Sequence, residues 1–276
     1  MKEENIKRLL LTLGIISTIL VCLFPVLWML FISFVSSPDF LINPKSFSLT
    51  LKNYTEILKN RELHFLDYLI NSMVVSLVSS LFTTFISLLA SYAITRFKFK
   101  WKLTFLIIVL SLSLFPPISI VGFLYKIATK LNWINTYQAL IFPYSSWTLP
   151  FALWMLVSYM NQIPKELDNS AIIDGAGRLK ILFKIIFPLM IPGVVATFLL
   201  VFIISFNEFL FALMLTTDHR ARTIPVGIAM FEGLHGELPW GYIMAASTIS
   251  IIPVVIIALL FQKHIIQGLT KGALKG

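Results

Sequence analysis

Few residues in this chain are of a kind that does bond chemistry, and their spacing narrows what remains. His64, His219, His235 and His264 are scattered, and Cys22 is the single cysteine. The sequence holds no His-Glu-x-x-His zinc pair, no Gly-x-Ser-x-Gly nucleophile turn and no Gly-x4-Gly-Lys-Ser/Thr phosphate loop. One cysteine permits neither an internal disulfide nor a cysteine metal site. Covalent catalysis and ATP hydrolysis by this chain are therefore not expected, and no catalytic, cofactor-binding or metal-ligating residue is assigned. Two constellations stand out instead. In Ser205-Phe206-Asn207-Glu208-Phe209, Glu208 is the one carboxylate inside the long apolar runs. An acid at midspan costs roughly 2.5–3.5 kcal/mol on insertion scales, so it must face protein or water. Ser205, Asn207 and Glu208 then either line or gate a polar pathway or brace neighbouring helices.

The second constellation runs from Ile163 to Pro192. Lys165, Glu166, Asp168, Asp174, Arg178, Lys180 and Lys184 crowd a stretch between two apolar runs. A bilayer core does not accept that charge density, so the stretch lies in water. Pro164 suits a helix's first turn, and Glu166 and Asp168 complement the positive end of a helix dipole, which predicts a helix over 164–173. Gly175 and Gly177 interrupt it. Beyond them Leu179, Leu182, Phe183 and Ile186 share one helical face and Lys180 and Lys184 another, before Phe187-Pro188 turns the chain back into lipid. The result is a bent helical elbow, residues 163–187, at the membrane surface.

The elements that must hold these residues are apolar helices. With 276 residues, 58% hydrophobic and 13% charged, the composition is that of an all-α integral membrane protein. Six spans are expected: Leu9–Val35, Tyr68–Thr95, Leu103–Lys126, Tyr137–Met160, Phe187–Leu215 and Tyr242–Phe261, each long enough to cross the hydrocarbon. The alternating segments of about 10 residues that mark a β-barrel do not occur. The first run is too long for a signal peptide and is read as a retained span. Arg96, Lys98, Lys100 and Lys102 fall within seven residues, a positive-inside signal that places both termini and the elbow in the cytoplasm, with 14 of the 22 Lys and Arg on that side. The formal +9 is thus a topology charge and does not point to nucleic acid. On the second span Ser72, Ser76, Ser79, Ser80, Thr83, Thr84, Ser87 and Ser91 recur three or four apart, a stripe for close helix packing, with a polar pathway as the alternative. Pro116, Pro117, Pro143 and Pro150 are positioned to kink the third and fourth spans. A short helix near 53–59 is expected in the loop between the first two spans. The glycine-rich end reads as a frayed terminus.

The elbow resembles the Glu-Ala-Ala loop of the transmembrane subunits of bacterial and archaeal ABC importers. Asn169-Ser170-Ala171 stand at Glu-Ala-Ala, Asp174-Gly175-Ala176 match Asp-Gly-Ala, and Pro188 falls where the family has its proline. Asn169 cannot form the ion pair a glutamate offers; Glu166 lies about one turn earlier. LFPPISIVGFLYKIATKLNWINTYQALIFPYSSWTLPFALWML, SFNEFLFALML, TIPVGIAMF, WGYIMAAS and GLTKGALKG are similar, in order, to the carbohydrate branch, the maltose-type permease subunit. The resemblance implies a six-helix type-1 importer fold with cytoplasmic coupling helices in the inner membrane. It divides the chain into 1–66 (first helix and outer loop), a core at 67–262 and a cytoplasmic tail at 263–276. It also implies a heterodimer with a second permease subunit, an ATPase dimer that alone binds ATP and magnesium, and an extracytoplasmic sugar-binding protein. At the elbow, Glu166, Leu167, Asn169, Ser170, Ala171, Asp174, Gly175, Ala176, Leu179 and Pro188 are the coupling residues. Leu167, Ala171 and Leu179 would supply apolar docking, small Ser170 and Ala171 close approach, Asp174-Gly175-Ala176 the bend, and Pro188 the join to the fifth span. In the tail, Gly268, Leu269, Thr270, Gly272 and Lys275 would touch the ATPase. A non-sugar importer, an ion-driven carrier and a membrane scaffold are the competing readings.

Overall fold

The computed structural model describes residues 2–36, 48–98, 100–231 and 239–273, with side chains over 7–36, 48–98, 100–231 and 239–263. These residues are overwhelmingly helical: α1 (Lys2–Ser33), α2 (Lys52–Lys59), α3 (Phe65–Arg96), α4 (Lys102–Leu112), α5 (Ile118–Lys130), α6 (Tyr137–Met160), α7 (Glu166–Ile173), α8 (Arg178–Ile181), α9 (Phe187–Phe206), α10 (Leu210–Leu215), α11 (Ile224–Ala229) and α12 (Trp240–Ala273). Five continuous helical stretches, Lys7–Ser33, Arg61–Arg96, Tyr137–Met160, Arg178–Phe206 and Trp240–Lys263, are long and apolar enough to cross a bilayer.

The remaining expected span, 103–126, is not one helix. It is the pair α4 and α5, broken at 113–117. Two successive prolines explain the break. Pro116 pushes Phe115 away from helical backbone angles and neither proline donates an N–H, while Pro117, at φ −54°, is already set for the first turn of α5. Pro143 and Pro150, by contrast, sit inside an unbroken α6. The expected fifth span differs at both ends. Its helix enters earlier, at Arg178, and stops at Phe206, with α10 a separate short helix.

The chain forms two compact units. One comprises residues 1–65 and 228–252. In it, α1 turns outward on nearly every side over 7–27. Its end is held by Ser33 Oγ against Tyr54 Oη at 2.6 Å, and by the Asn53 amide donating to the carbonyls of Ser33 and Val35 at 2.9 Å. An isolated antiparallel bridge pairs Val35 with Leu49.

The other unit comprises residues 66–227 and 253–276. Its centre is α6, packed along α9 and against α3 and α4. The serine stripe of α3 is fully buried, and it meets α6. Ser79 Oγ donates to Ile141 O at 3.5 Å, Ser145 Oγ to Ser79 O at 3.4 Å, and Thr83 Oγ1 lies 3.3 Å from Thr148 Oγ1. Small hydroxylated residues let the two backbones approach, as is usual between membrane helices. On α9, Gly193 does the same for α6: a Cβ there would stand 2.5 Å from the Tyr159 ring.

Candidate functional site

The elbow is a compact, well-stapled piece of chain. α7 carries Glu166 and Asp168 in its first turn, where they complement the helix dipole. It ends in a Schellman motif: Gly175 at φ +76° is the left-handed residue, Ala176 N–H donates to Ala171 O at 2.9 Å and Gly175 N–H to Ile172 O at 3.0 Å. Gly177, which also read as an interruption, is plain extended backbone at φ −69°. The bend therefore depends on one glycine and on Ala176 packing against Ala171 beneath it.

From α8 the chain does not turn at Phe187-Pro188 as expected. It continues into α9 through a π-helical turn at Leu182–Ile186, in which Phe187 N–H reaches five residues back to Leu182 O. The wider turn has a physical cause: a proline in an α-helix collides with the carbonyl four residues before it, here that of Lys184. Pro188 thereby sits in the first turn of α9.

The elbow's two faces are distinct. Inward, Ala171, Ile181, Leu182 and Ile186 pack with Leu88, Leu156, Met160 and Ile163. Ala171 is only 6% exposed, so it cannot offer the outward docking surface expected of it; it is the floor of the bend. Leu182 and Ile186 are buried as well, while Leu179 and Phe183 are exposed, so the four do not share one face as expected. Outward stand Ile173 at 85% exposure and Leu179 at 70%, with Leu167 and Ile172 less prominent. Glu166, Asn169, Ser170 and Asp174 are exposed around them, Ala176 is half-buried and Pro188 is exposed. Ile173, the last residue of α7, carries no signal in the sequence beyond being apolar.

A polar joint fixes the elbow to the end of α3. Asp168, 2% exposed, places Oδ2 2.9 Å from Arg96 Nε and accepts a hydrogen bond from Tyr92 Oη at 3.0 Å. The Arg96 contact is close, though its N–H is not aimed squarely at the oxygen. Arg96 also donates through NH2 to Ile163 O at 3.0 Å. The Arg178 guanidinium lies over the Phe97 ring, 5.5 Å from its centroid. In the sequence Arg96 reads as a topology charge and Asp168 as a dipole partner, and no local signal announces that the two meet.

The second constellation sits where α9 gives way to α10. Glu208 turns its carboxylate onto the new helix start, accepting from Phe211 N–H at 2.9 Å and Ala212 N–H at 3.2 Å. Water-poor surroundings make such orphan helix N–H groups costly, and a carboxylate is a strong acceptor for them. This arrangement makes Glu208 the cap of α10. Ser205 is buried with its hydroxyl unpartnered, and Asn207 is exposed, donating back to Ile203 O at 2.8 Å. The three do not converge on one surface. Of the tail residues, Gly268, Leu269, Thr270 and Gly272 lie on the helical backbone of α12; their side chains and Lys275 fall outside the described residues.

At the opposite end of this unit a network closes the bundle. The Asn71 amide donates to His219 O and Arg222 O at 2.8 and 2.9 Å and accepts from Tyr137 Oη at 2.7 Å. Asn135, left-handed at φ 61°, accepts from the N–H groups of Thr217 and Asp218 and donates to Asp218 Oδ1 at 2.8 Å. Arg220, paired with Asp218 at 2.7 Å, and Asn135 after it hold the Asp218 carboxyl well below the usual range.

Comparison with known proteins places this architecture. The family model described as "Binding-protein-dependent transport system inner membrane component" matches residues 83–271. The trehalose/maltose transport system permease protein of Thermococcus litoralis is 56% identical over the whole of both chains. The trehalose transport system permease protein of Mycobacterium tuberculosis is 35% identical, covering 92% of this chain and 93% of its own. Among solved structures, a chain of a bacterial ABC transporter involved in the import of the acidic polysaccharide alginate superposes with a TM-score of 0.78 at 16% identity, over 95% of this chain and 98% of that one.

Proposed function

Since the chain belongs to the family of binding-protein-dependent transport system inner membrane components, we propose that it is the permease subunit of an ATP-driven importer for a sugar or oligosaccharide. It forms the membrane pathway with a second permease subunit. A separate ATPase dimer supplies the energy through the elbow, and an extracytoplasmic binding protein delivers the cargo. The elbow and both termini face the cytoplasm. In support, α3's cationic end and the elbow are joined, so that the positive-inside signal and the docking surface share one side. The trehalose/maltose system of the full-length archaeal relative makes a disaccharide the first cargo to test.

The observation that carries the coupling role is the outward pair Ile173 and Leu179 on a segment whose other face is locked to the bundle. Swinging a two-state bundle from 1:99 to 99:1 takes about 5.5 kcal/mol of differential binding. Burying an exposed Leu or Ile is worth about 1.5–3 kcal/mol, so Ile173, Leu179 and Leu167 seated in an ATPase cleft supply energy of that order. Glu166, Asn169, Ser170 and Asp174 form the polar rim, Gly175 and Ala176 hold the bend, and the helix through Pro188 carries the displacement into α9. The tail from Gly268 to Lys275 adds a second ATPase contact. Radiolabelled trehalose and maltose uptake into proteoliposomes holding the complete assembly tests this. Uptake that needs ATP, persists with a protonophore and stops when the ATPase is disabled is the expected result; uptake driven by a proton or sodium gradient alone refutes it.

A further inference from the structure

The joint between α3 and the elbow contains more than a loop connector needs. Arg96 and Asp168 are 2% and 3% exposed at their side chains, although each belongs to a segment that borders water. Burying two charges is repaid only when their remaining hydrogen-bonding capacity is met, and replacing such a pair by apolar packing is often neutral for stability. Here it is met in part, from two pieces of chain, while Arg96 Nε and Asp168 Oδ2 have only each other's charge. Tyr92 on α3 satisfies Asp168 Oδ1, and Ile163 at the end of α6 takes the second Arg96 donor. Each charge also suits its helix: the cation closes the C-terminus of α3 and the anion opens the N-terminus of α7. A second attachment runs in parallel, from Arg178 on α8 to Phe97, whose ring meets Tyr92 edge-on at 6.3 Å.

The other end of the argument is the face that α3 presents to α6. Its hydrogen bonds are long, 3.3–3.5 Å, and elsewhere on the same stripe the hydroxyls of Ser76, Thr84 and Ser87 are buried without a partner, Thr84 among residues of α9. Small side chains, weak cross-links and spare donors are what a surface needs if it has to settle in more than one register. α3 is thus gripped firmly at the elbow and loosely along α6.

We propose that Arg96 and Asp168 are a positioning pair that makes α3 travel with the elbow, so that the force of ATP binding enters the bundle through α3 as well as through α9. The inference rests on the reading of the chain as an ATP-driven importer subunit. Neither residue touches cargo or ATPase; both act by fixing α7 to α3.

The test uses the complete importer in proteoliposomes, with Asp168→Asn, Arg96→Gln, the exchange Arg96→Asp with Asp168→Arg, and the conservative Asp168→Glu. Three quantities are read: assembled complex, ATP hydrolysis stimulated by loaded binding protein, and cargo taken up per ATP. A fourth is the ATP-dependent change in distance between spin labels at exposed Phe85 on α3 and Trp154 on α6, with Cys22→Ser as background. The expected result is that Asp168→Asn and Arg96→Gln assemble and hydrolyse ATP within twofold of the parent. Their uptake per ATP falls tenfold or more, and the label distance no longer responds to ATP. Asp168→Glu, or the exchange, recovers part of both. Uptake per ATP within twofold of the parent in the neutral variants overturns the proposal. So does a failure of every variant to assemble, which makes the pair a determinant of folding alone. A parent complex without ATP-dependent uptake would instead sink the importer reading itself.

Discussion

Gly175 offers the sharpest test of how the elbow is built. Its φ of +76° is one that L-residues adopt at a cost of about 1–2 kcal/mol, yet a Cβ built there meets nothing within 4 Å. The penalty of substitution is therefore one of backbone conformation, without a steric part. Gly175→Ala and Gly175→Leu should weaken the two closing bonds, Ala176 N–H to Ala171 O and Gly175 N–H to Ile172 O, by the same amount. Gly175→Asn, which tolerates the left-handed region, should cost less. A loss of about 1–2 kcal/mol raises the opened fraction of the bend roughly 5- to 30-fold. Amide hydrogen exchange at residues 175 and 176 in the purified permease reads this opening directly. In the complete importer the same variants should lower uptake per ATP in the order Leu, Ala, Asn. An added loss for Leu, seen only there, reports a partner surface close to residue 175. Equal exchange in Gly175→Ala and the parent, or faster exchange in Asn than in Ala, refutes the reasoning.

Four further outcomes follow from the geometry. Ile173→Glu with Leu179→Glu should leave the permease folded but abolish its co-purification with the ATPase, since both side chains are exposed in the chain and would each forfeit about 1.5–3 kcal/mol of interfacial burial. Glu208→Ala should destabilise the helix start at α10 by about 1–3 kcal/mol for orphaned N–H groups, with Glu208→Gln milder because its amide oxygen still accepts; thermal unfolding in detergent ranks them. Gly193→Ala should cost about 1–3 kcal/mol by driving a methyl into the Tyr159 ring, and Tyr159→Leu should recover part of it in the same assay. A carboxyl held below its ordinary range stabilises above that range and is lost only as pH falls through the depressed value. The Asn135–Asp218 latch should therefore keep Thr217 and Asp218 N–H protected as pH drops through about 4, and Asp218→Asn should lose the Arg220 arm at every pH.

The sequence was most legible where a physical constraint acts locally. Residues 137–160 read as one span and form one helix, and the charged stretch after it, expected as a bent helical elbow because lipid excludes seven ionic residues so close together, is two short helices meeting at a turn. The short helix expected near 53–59 is α2. Two departures from expectation arise at prolines: the tandem Pro116-Pro117 breaks the span it was expected to kink, and a π turn stands just before Pro188. What stayed hidden was non-local. Asp168 and Arg96 are 72 residues apart in sequence, and nothing in either neighbourhood distinguishes a buried ion pair from two solvated charges. Ala171 is small and apolar, which suits docking, but it lies beneath the Schellman closure and faces inward.

The unbroken run of helix through Pro188 has a mechanical consequence. From Arg178 to Phe206 the backbone is one 29-residue helical stretch that begins in the elbow and continues as the apolar α9. At 1.5 Å per residue such a rod is about 43 Å long, and pivoting it by a mere 5° sweeps its far tip through roughly 4 Å. A displacement of the elbow carried along this stretch would be read at its far end, at the break that Glu208 caps.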